Sequence, residues 1–486
     1  MTETMFGDDP PAVAQAAPSR FDAYDTEALW RKDLDHYVHP FTDFAHWSDD
    51  GALVIAESEG VYVYDSDGRR YLDSQGGLWC VNAGYGRTEI ADAMAEQARK
   101  LAYYSPFTDT TSAPGANLAH KLASLAPGNL NHVFFGLSGS DANDTAARII
   151  HFYFNRLGQP RKKTMITRVN AYHGSSYMAM SLTGVAHDHL GFDVIGEPLI
   201  ARVSGPDLYR ESGEMTPDEY TAHLVEEFRT RVEGLGPENV AAFFAEPIMG
   251  AGGVLVPPPG YLPAMREACR DYGILYVSDE VVTAFGRLGH FFASREVFGV
   301  QPDIINSAKG LTSGYAPLSA TLLSDEIHEV ISVPQAPGAV FSHGYTYSGH
   351  PVSCAAALAN IELMEREDVC GHVRRVGPYF EQRLRDLADL PLVGDVRGKC
   401  FMMCIESVAD RGTKEMFPAE VEIGRRISKA CDARGLLVRP IGHLNVLSPP
   451  LILTVEQIDW LVDALRDGIE EAMSQLEHEG LWRRQA

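Results

Sequence analysis

Two residues thirty positions apart, Asp279 and Lys309, carry the chemistry this sequence supports most directly. An apolar run, Ile274 to Val277, ends on the carboxylates Asp279 and Glu280; a second, Ile304 and Ile305, leads through Asn306, Ser307 and Ala308 to Lys309 and Gly310. Short buried strands that end in polar residues mark the functional edge of a parallel sheet, where ligands sit beyond the carboxyl ends of the strands. A lysine there can form a Schiff base with an aldehyde cofactor such as pyridoxal phosphate, provided burial and neighbours lower its pKa. An aspartate partner holds the proton on the pyridine nitrogen and lets the ring act as an electron sink. A structural salt bridge, or two unrelated strand ends, fits the same spacing.

The surrounding elements must position such a pair. A strand over His132–Leu137 runs into Ser138, Gly139 and Ser140, which open a helix with Asp141 and Asp144 in its first turn. Small residues and free N–H groups at a helix start make a phosphate site. A capped helix with no ligand is the other reading, and acidic side chains turned inward would weaken anion binding. The strand Thr164–Arg168 leads to Asn170–Gly174, where Tyr172 stands ready to stack on a flat ring. The strand Val240–Ala245 ends in Glu246 and is followed by the glycine-rich MGAGGVLVPPPGY, while residues 186–238 read as loop with one helix near 220–233. Alternation of strand and helix from 132 to 325 predicts an α/β domain.

Ahead of this region the pattern predicts a helix over Thr26–Tyr37, three short strands between 54 and 72, and helices over Thr88–Tyr103 and Ala116–Leu125. In the intervening SQGGLWCVNAGYG, Trp79 is either a core plug or a ligand wall. Beyond Lys309 come HGYTYSGHP, a helix near 352–366, and a further α+β stretch. That stretch has strand candidates at Lys399–Glu406, Leu436–Arg439 and Asn445–Ser448, and a last helix from 455 to about 476.

Composition sets outer bounds. A chain of 486 residues exceeds what one core serves, so one large and one smaller domain are expected. A formal net charge of −25 argues against nucleic acid or an anionic membrane as partner. The seven cysteines form no CxxC pair and no zinc pattern, so no metal site is expected. No long apolar run or signal-like N-terminus is visible, which leads to an expectation of cytoplasmic location. Residues 1–20, rich in Pro, Ala and Asp, are expected to be a disordered tail.

With those residues in view, eight motifs in order resemble one family. They are GLWCVN, SGSDANDT, NAYHGS, AEPIMGAGGV, SDEVVTAFGRLG, AKGLTSGY, HGYTYSGHP and RPIGHLNVLSPP. Together they are similar to the class III aminotransferases of pyridoxal-phosphate fold type I, in particular the ω-amino acid or amine:pyruvate transaminases. The resemblance covers nearly the whole chain from about Leu34.

It implies an aspartate-aminotransferase-like α/β large domain with a central, mostly parallel, seven-stranded sheet over residues 81–345. The N-terminal segment, 21–80, and the C-terminal segment, 346–486, would form a smaller α+β domain. It further implies amino transfer from a primary amine or ω-amino acid (putrescine, γ-aminobutyrate, β-alanine or similar) to pyruvate, by a ping-pong mechanism in a homodimer or tetramer. Lys309 would be the Schiff-base lysine and proton shuttle, and Asp279 the partner of the pyridinium. Val281 and Tyr172 would sandwich the ring, with Ser138, Gly139 and Ser140 at the phosphate. His173 and Glu246 would belong to the cofactor's surroundings. Thr346 would reach the phosphate from the neighbouring subunit. Trp79 and Phe107, the latter from the partner, would line the substrate pocket, and Arg439 would pair with a substrate carboxylate from a surface loop. Asp141 stands where the family commonly has glutamate. A racemase or aminomutase of the same fold, and a catalytically inactive relative, are the alternatives. The glycine-rich loops look closest to the putrescine and γ-aminobutyrate branches.

Overall fold

The computed structural model describes Phe21 and residues 23–483; the tail expected over 1–20 lies outside them. Seven strands form the central sheet: β1 (His132–Gly136), β2 (Thr164–Arg168), β3 (Ile200–Val203), β4 (Val240–Ala245), β5 (Leu275–Asp279), β6 (Ile304–Ser307) and β7 (Ser319–Leu323). Their spatial order is β1-β7-β6-β5-β4-β2-β3. Neighbours from β6 across to β3 are parallel, and only β7 runs antiparallel to the strands beside it. This is the mostly parallel seven-stranded sheet that the motifs imply.

Both faces of the sheet are covered, which is why its strands read as unbroken apolar runs. Every residue of β4, Val-Ala-Ala-Phe-Phe-Ala, is buried. Phe244 and Val277 pack with Ala146, Ile150 and Phe154 of helix α1 (Gly139–Arg156). Phe243 and Tyr276, their neighbours in sequence, face the other way, toward Phe228 of α2 (Pro217–Leu235) and Met265 of α3 (Tyr261–Asp271).

Two expectations fail here. The loop-rich stretch 186–238 also contributes the unforeseen β3, and the helix expected near 220–233 begins at Pro217 behind a Thr216–Glu219 capping box. Arg202 interrupts the apolar pattern of this edge strand, and its guanidinium donates to the carbonyls of Ser181 and Thr183. The single strand expected over Lys399–Glu406 is a hairpin, Val393–Lys399 with Met402–Ser407. Its tight turn holds Cys400 at φ 51°.

Outside the central sheet, Ile55–Glu59, Tyr62–Asp65 and Arg70–Asp73 form an antiparallel ribbon, joined in parallel by Leu436–Leu437. Segments from the two ends of the chain therefore share one sheet. A further sheet takes the hairpin, then Leu444–Leu447, then Arg439–Ile441 at its edge. It packs with α4 (Ile423–Asp432) and with the long α5 (Val455–Glu479) into one continuous apolar core. Because β1, β2, β4, β5 and β6 point the same way, Ser138, Tyr172, Glu246, Asp279 and Lys309 all emerge at one edge of the central sheet.

Candidate active site

Asp279 closes β5 and is 4% exposed. It forms no ion pair with Lys309 among the described residues, which removes the salt-bridge reading. Its Oδ2 accepts from His173 Nδ1 and from Asn143 Nδ2, each at 2.8 Å, and its Oδ1 from the backbone N–H of Val281 at 3.2 Å. Three donors fix the orientation of the carboxylate. His173 thus stands behind Asp279, its Nε2 buried without a partner among the described residues.

The start of α1 is shaped for an anion. Ser138 caps it, its hydroxyl accepting from Asp141 N–H at 3.2 Å. The carboxylate of Asp141 turns back to Leu137 N–H (2.9 Å), and that of Asp144 to Ser176 Oγ and Ala179 N–H. Both acidic groups are therefore aimed away from the first turn. The N–H groups of Gly139 and Ser140 have no partner among the described residues. Gly139 has to be glycine: a Cβ there would lie 2.9 Å from Val281 Cγ1, so Val281 closes directly over the turn. Ser140 Oγ accepts from Ser175 N–H at 3.0 Å, which ties the turn to the loop after β2.

Tyr172 is set by Glu246, whose carboxylate accepts from Tyr172 N–H (3.0 Å) and Gly250 N–H (2.9 Å). Burial raises the pKa of Glu246, and nearby Asp279 adds to the rise against the lowering fields of His173 and Arg168. Gly250 is in turn pressed on Trp79: a Cβ there would overlap the indole at 2.0 Å. Trp79 is 3% exposed and also faces Arg439, whose Cζ lies 5.5 Å from its ring centroid. It is at once core plug and site wall. Arg439 departs from expectation. Expected to end a strand that runs into a Pro/Gly loop, it opens the edge strand Arg439–Ile441, and its side chain is folded inward, where burial lowers its pKa.

Lys309 follows β6 at φ 44°, a left-handed backbone that side chains other than glycine adopt at a cost of order 1 kcal/mol or more. Its Nζ has no hydrogen bond among the described residues. Burial lowers its pKa and Arg439 lowers it further, opposed by Cys80, Asp279 and Glu246. A lysine so placed keeps more of its amine neutral than one in water. Phe107 and Thr346 do not join this group within the chain. Phe107 is 50% exposed and lies over Gly344, and Thr346, also exposed, has its carbonyl held by Tyr103 Oη at 2.6 Å.

Asn143, Asn306 and Cys80 were not foreseen. Asn143 was visible as a polar residue among Ala142, Ala146 and Ala147, one turn beyond Gly139. Cys80 adjoins Trp79, and burial raises its thiol pKa while Lys309 opposes the rise.

An aldehyde-bearing pyridine phosphate fits these residues. Unpaired N–H groups and a glycine cradle meet its phosphate, an oriented carboxylate meets its ring nitrogen, and an uncommitted amine meets its aldehyde. Fold and site thus define an α/β enzyme that uses pyridoxal phosphate.

Comparison with known proteins narrows the class. The profile of the family described as Aminotransferase class-III matches residues 44–469. The putrescine–pyruvate aminotransferase of Pseudomonas aeruginosa is 42% identical over 440 residues, 90% of this chain and 94% of that protein. The crystal structure of a thermostable (S)-enantioselective omega-transaminase from Thermomicrobium roseum superposes with a TM-score of 0.90 at 40% identity, over 93% of this chain and all of that one (100%). The omega-transaminase from Pseudomonas jessenii in complex with PMP gives a TM-score of 0.90 at 35% identity, over 92% and 99% of the two chains. The chain belongs to the class III aminotransferases.

Proposed function

We infer that this transaminase moves the amino group of a primary amine or ω-amino acid to pyruvate, releasing alanine. The observation that carries the reading is Lys309, an amine with lowered pKa and no hydrogen bond, at the strand end beside an aspartate that other residues already orient. When bound, pyridoxal phosphate supplies the aldehyde with which amines condense and the ring that takes up the electron pair left at the substrate carbon. Asp279 holds the ring-nitrogen proton that makes this uptake favourable. Gly139 and Ser140 would hold the phosphate through their backbone N–H groups, and Val281 and Tyr172 would confine the ring. The amine of Lys309 would serve as the general base that removes the proton from the substrate carbon, and as the acid that gives it back.

The two substrates differ in charge, and Arg439 answers that difference. Its guanidinium pairs with the carboxylate of pyruvate, a charge-assisted contact, and shifts aside for an amine that has none. The donor's product leaves before pyruvate enters, so one pocket serves both in turn. Support for pyruvate comes from the named activity of the Pseudomonas aeruginosa relative. The racemase, aminomutase and inactive-relative readings have no observation in their favour.

We assign Thr346 and Phe107 to the neighbouring subunit's site in a homodimer. Both are exposed, as are the neighbouring Tyr104 and Tyr347, and Phe107 lies over Gly344, two residues before Thr346. A panel of diamines, ω-amino acids and carboxylate-free amines, each offered with pyruvate and followed by alanine formation, tests the function. Alanine from at least one class is expected. No alanine from any donor, alongside amino transfer to another keto acid, would overturn the assignment of pyruvate.

A further inference from the structure

The side chain of Asn143 is fully buried and makes three hydrogen bonds. Its Nδ2 donates to the His173 carbonyl (2.7 Å) and to Asp279 Oδ2 (2.8 Å), and its Oδ1 accepts from Asn306 Nδ2 at 2.8 Å. Only one orientation of the amide works. With nitrogen and oxygen exchanged, the oxygen would face a carbonyl and a carboxylate, and the nitrogen would face another donor. Asn306 has no second use that would explain its presence: its own Oδ1 is buried without a partner among the described residues.

The four elements that this amide joins are those that carry the candidate site. Asn143 lies on α1, one turn past the phosphate-binding residues Gly139 and Ser140. Asp279 ends β5, Asn306 lies on β6 three residues before Lys309, and His173 follows Tyr172. We propose that Asn143 is a positioning residue that sets the phosphate turn, the pyridine partner Asp279 and the lysine strand at fixed distances from one another. With both Asn143 and His173 on Oδ2 and only the Val281 N–H on Oδ1, Oδ1 is the oxygen left for a ring nitrogen. Without Asn143, Asp279 would keep its charge and its place in the chain but lose the constraint on which oxygen it presents.

The inference rests on the pyridoxal-phosphate transaminase reading. It is tested on the full-length holoenzyme with Asn143→Ala, the isosteric Asn143→Asp, and Asn306→Ala, which cuts only the tie to β6. Four quantities are read: the dissociation constant for pyridoxal phosphate, the visible absorption maximum of the bound cofactor, kcat and KM for pyruvate, and the melting temperature of the cofactor-free protein. Asn143→Ala is expected to lower kcat by roughly 10- to 100-fold with KM within about twofold, the pattern of a contact felt mainly in the transition state. It should also weaken cofactor binding and shift the absorption maximum. Asn143→Asp sets a carboxylate against Asp279 and should do the same or worse with the shape of the core retained, so it decides the matter if Asn143→Ala fails to fold. Asn306→Ala should lower kcat less than either. A drop in melting temperature with kcat, cofactor affinity and spectrum unchanged would make Asn143 a core residue only and overturn the proposal. A wild-type protein that binds no pyridoxal phosphate would instead overturn the reading beneath it.

Discussion

The two sides of the site are built on opposite principles. On the pyridine side, Asp279, Asn143, His173 and Glu246 are buried and hydrogen-bonded to one another or to backbone. On the lysine side, Lys309 has no hydrogen bond among the described residues, and Arg439 rests on the face of Trp79. Buried polar groups are ordinarily paired because leaving one unpaired costs about 1–3 kcal/mol. The contrast follows from the work each side does. A group that must hold one orientation through the whole reaction is tied down by fixed partners, as Asp279 is by three donors. A group that must react, or must swing between substrates, is left free, and the fold carries that cost. The positive φ of Lys309 belongs to the same cost.

The largest expected effect is on the free side. Lys309→Ala should abolish turnover while pyridoxal phosphate still binds through its phosphate; near-normal transamination by this variant would refute the assignment. Arg439→Ala comes next. Single-turnover measurements should show the pyruvate half-reaction slowed by roughly 10- to 1000-fold, with little change for a carboxylate-free amine. Equal loss in both half-reactions would place Arg439 with the fixed side.

Glu406 sharpens the contrast, because it anchors the fixed frame away from the chemistry. It is 2% exposed and accepts from Arg210 Nε and Arg397 Nη1, each at 2.6 Å, while Arg397 Nε holds the carbonyl of Gly253. Burial acts to raise its pKa, but His443 and the two guanidinium groups overcome it and hold the carboxyl down at about 2. Since the folded value lies below the ordinary one of 4.5, the stabilisation is full above about pH 4.5 and is lost as pH falls toward 2. Glu406→Gln should therefore cost on the order of 3 kcal/mol at pH 7 by urea unfolding, leaving two guanidinium groups short of a partner. The gap between variant and wild type should close as the pH drops through that window.

The smallest effect is expected at Thr346, whose proposed role lies between subunits. Thr346→Ala should weaken cofactor binding several-fold, and removal of pyridoxal phosphate should promote dissociation in sedimentation runs. A fully active, cofactor-saturated species at monomer mass would refute the shared site.

How much of this was legible in the sequence follows the same division. Residues on strand ends, Asp279, Glu246 and Lys309, announced themselves because apolar runs stop at them. Gly139 was legible as a helix start, and the close approach of Val281 shows why no larger residue fits. Asn143 was not singled out, because a helix interior has no boundary to mark it and its three partners come from 30 to 163 positions away. Arg439 was read as the end of a strand running into a loop because Pro440 and Gly442 follow it, yet an edge strand tolerates proline, and Arg439 opens one by pairing with Val446 while Ile441 pairs with Leu444. The edge strand β3 escaped for a related reason: four residues with an arginine among them carry too short an apolar signal.

The central claim is that Lys309 is the free amine which the paired side of the site serves. Borohydride reduction of the enzyme as purified with pyridoxal phosphate, followed by peptide mass mapping, tests it most directly. The account predicts a single added pyridoxyl phosphate mass on the peptide containing Lys309, absent when an amine donor is supplied first. A label on another lysine, or no label on an enzyme that turns over, would contradict it.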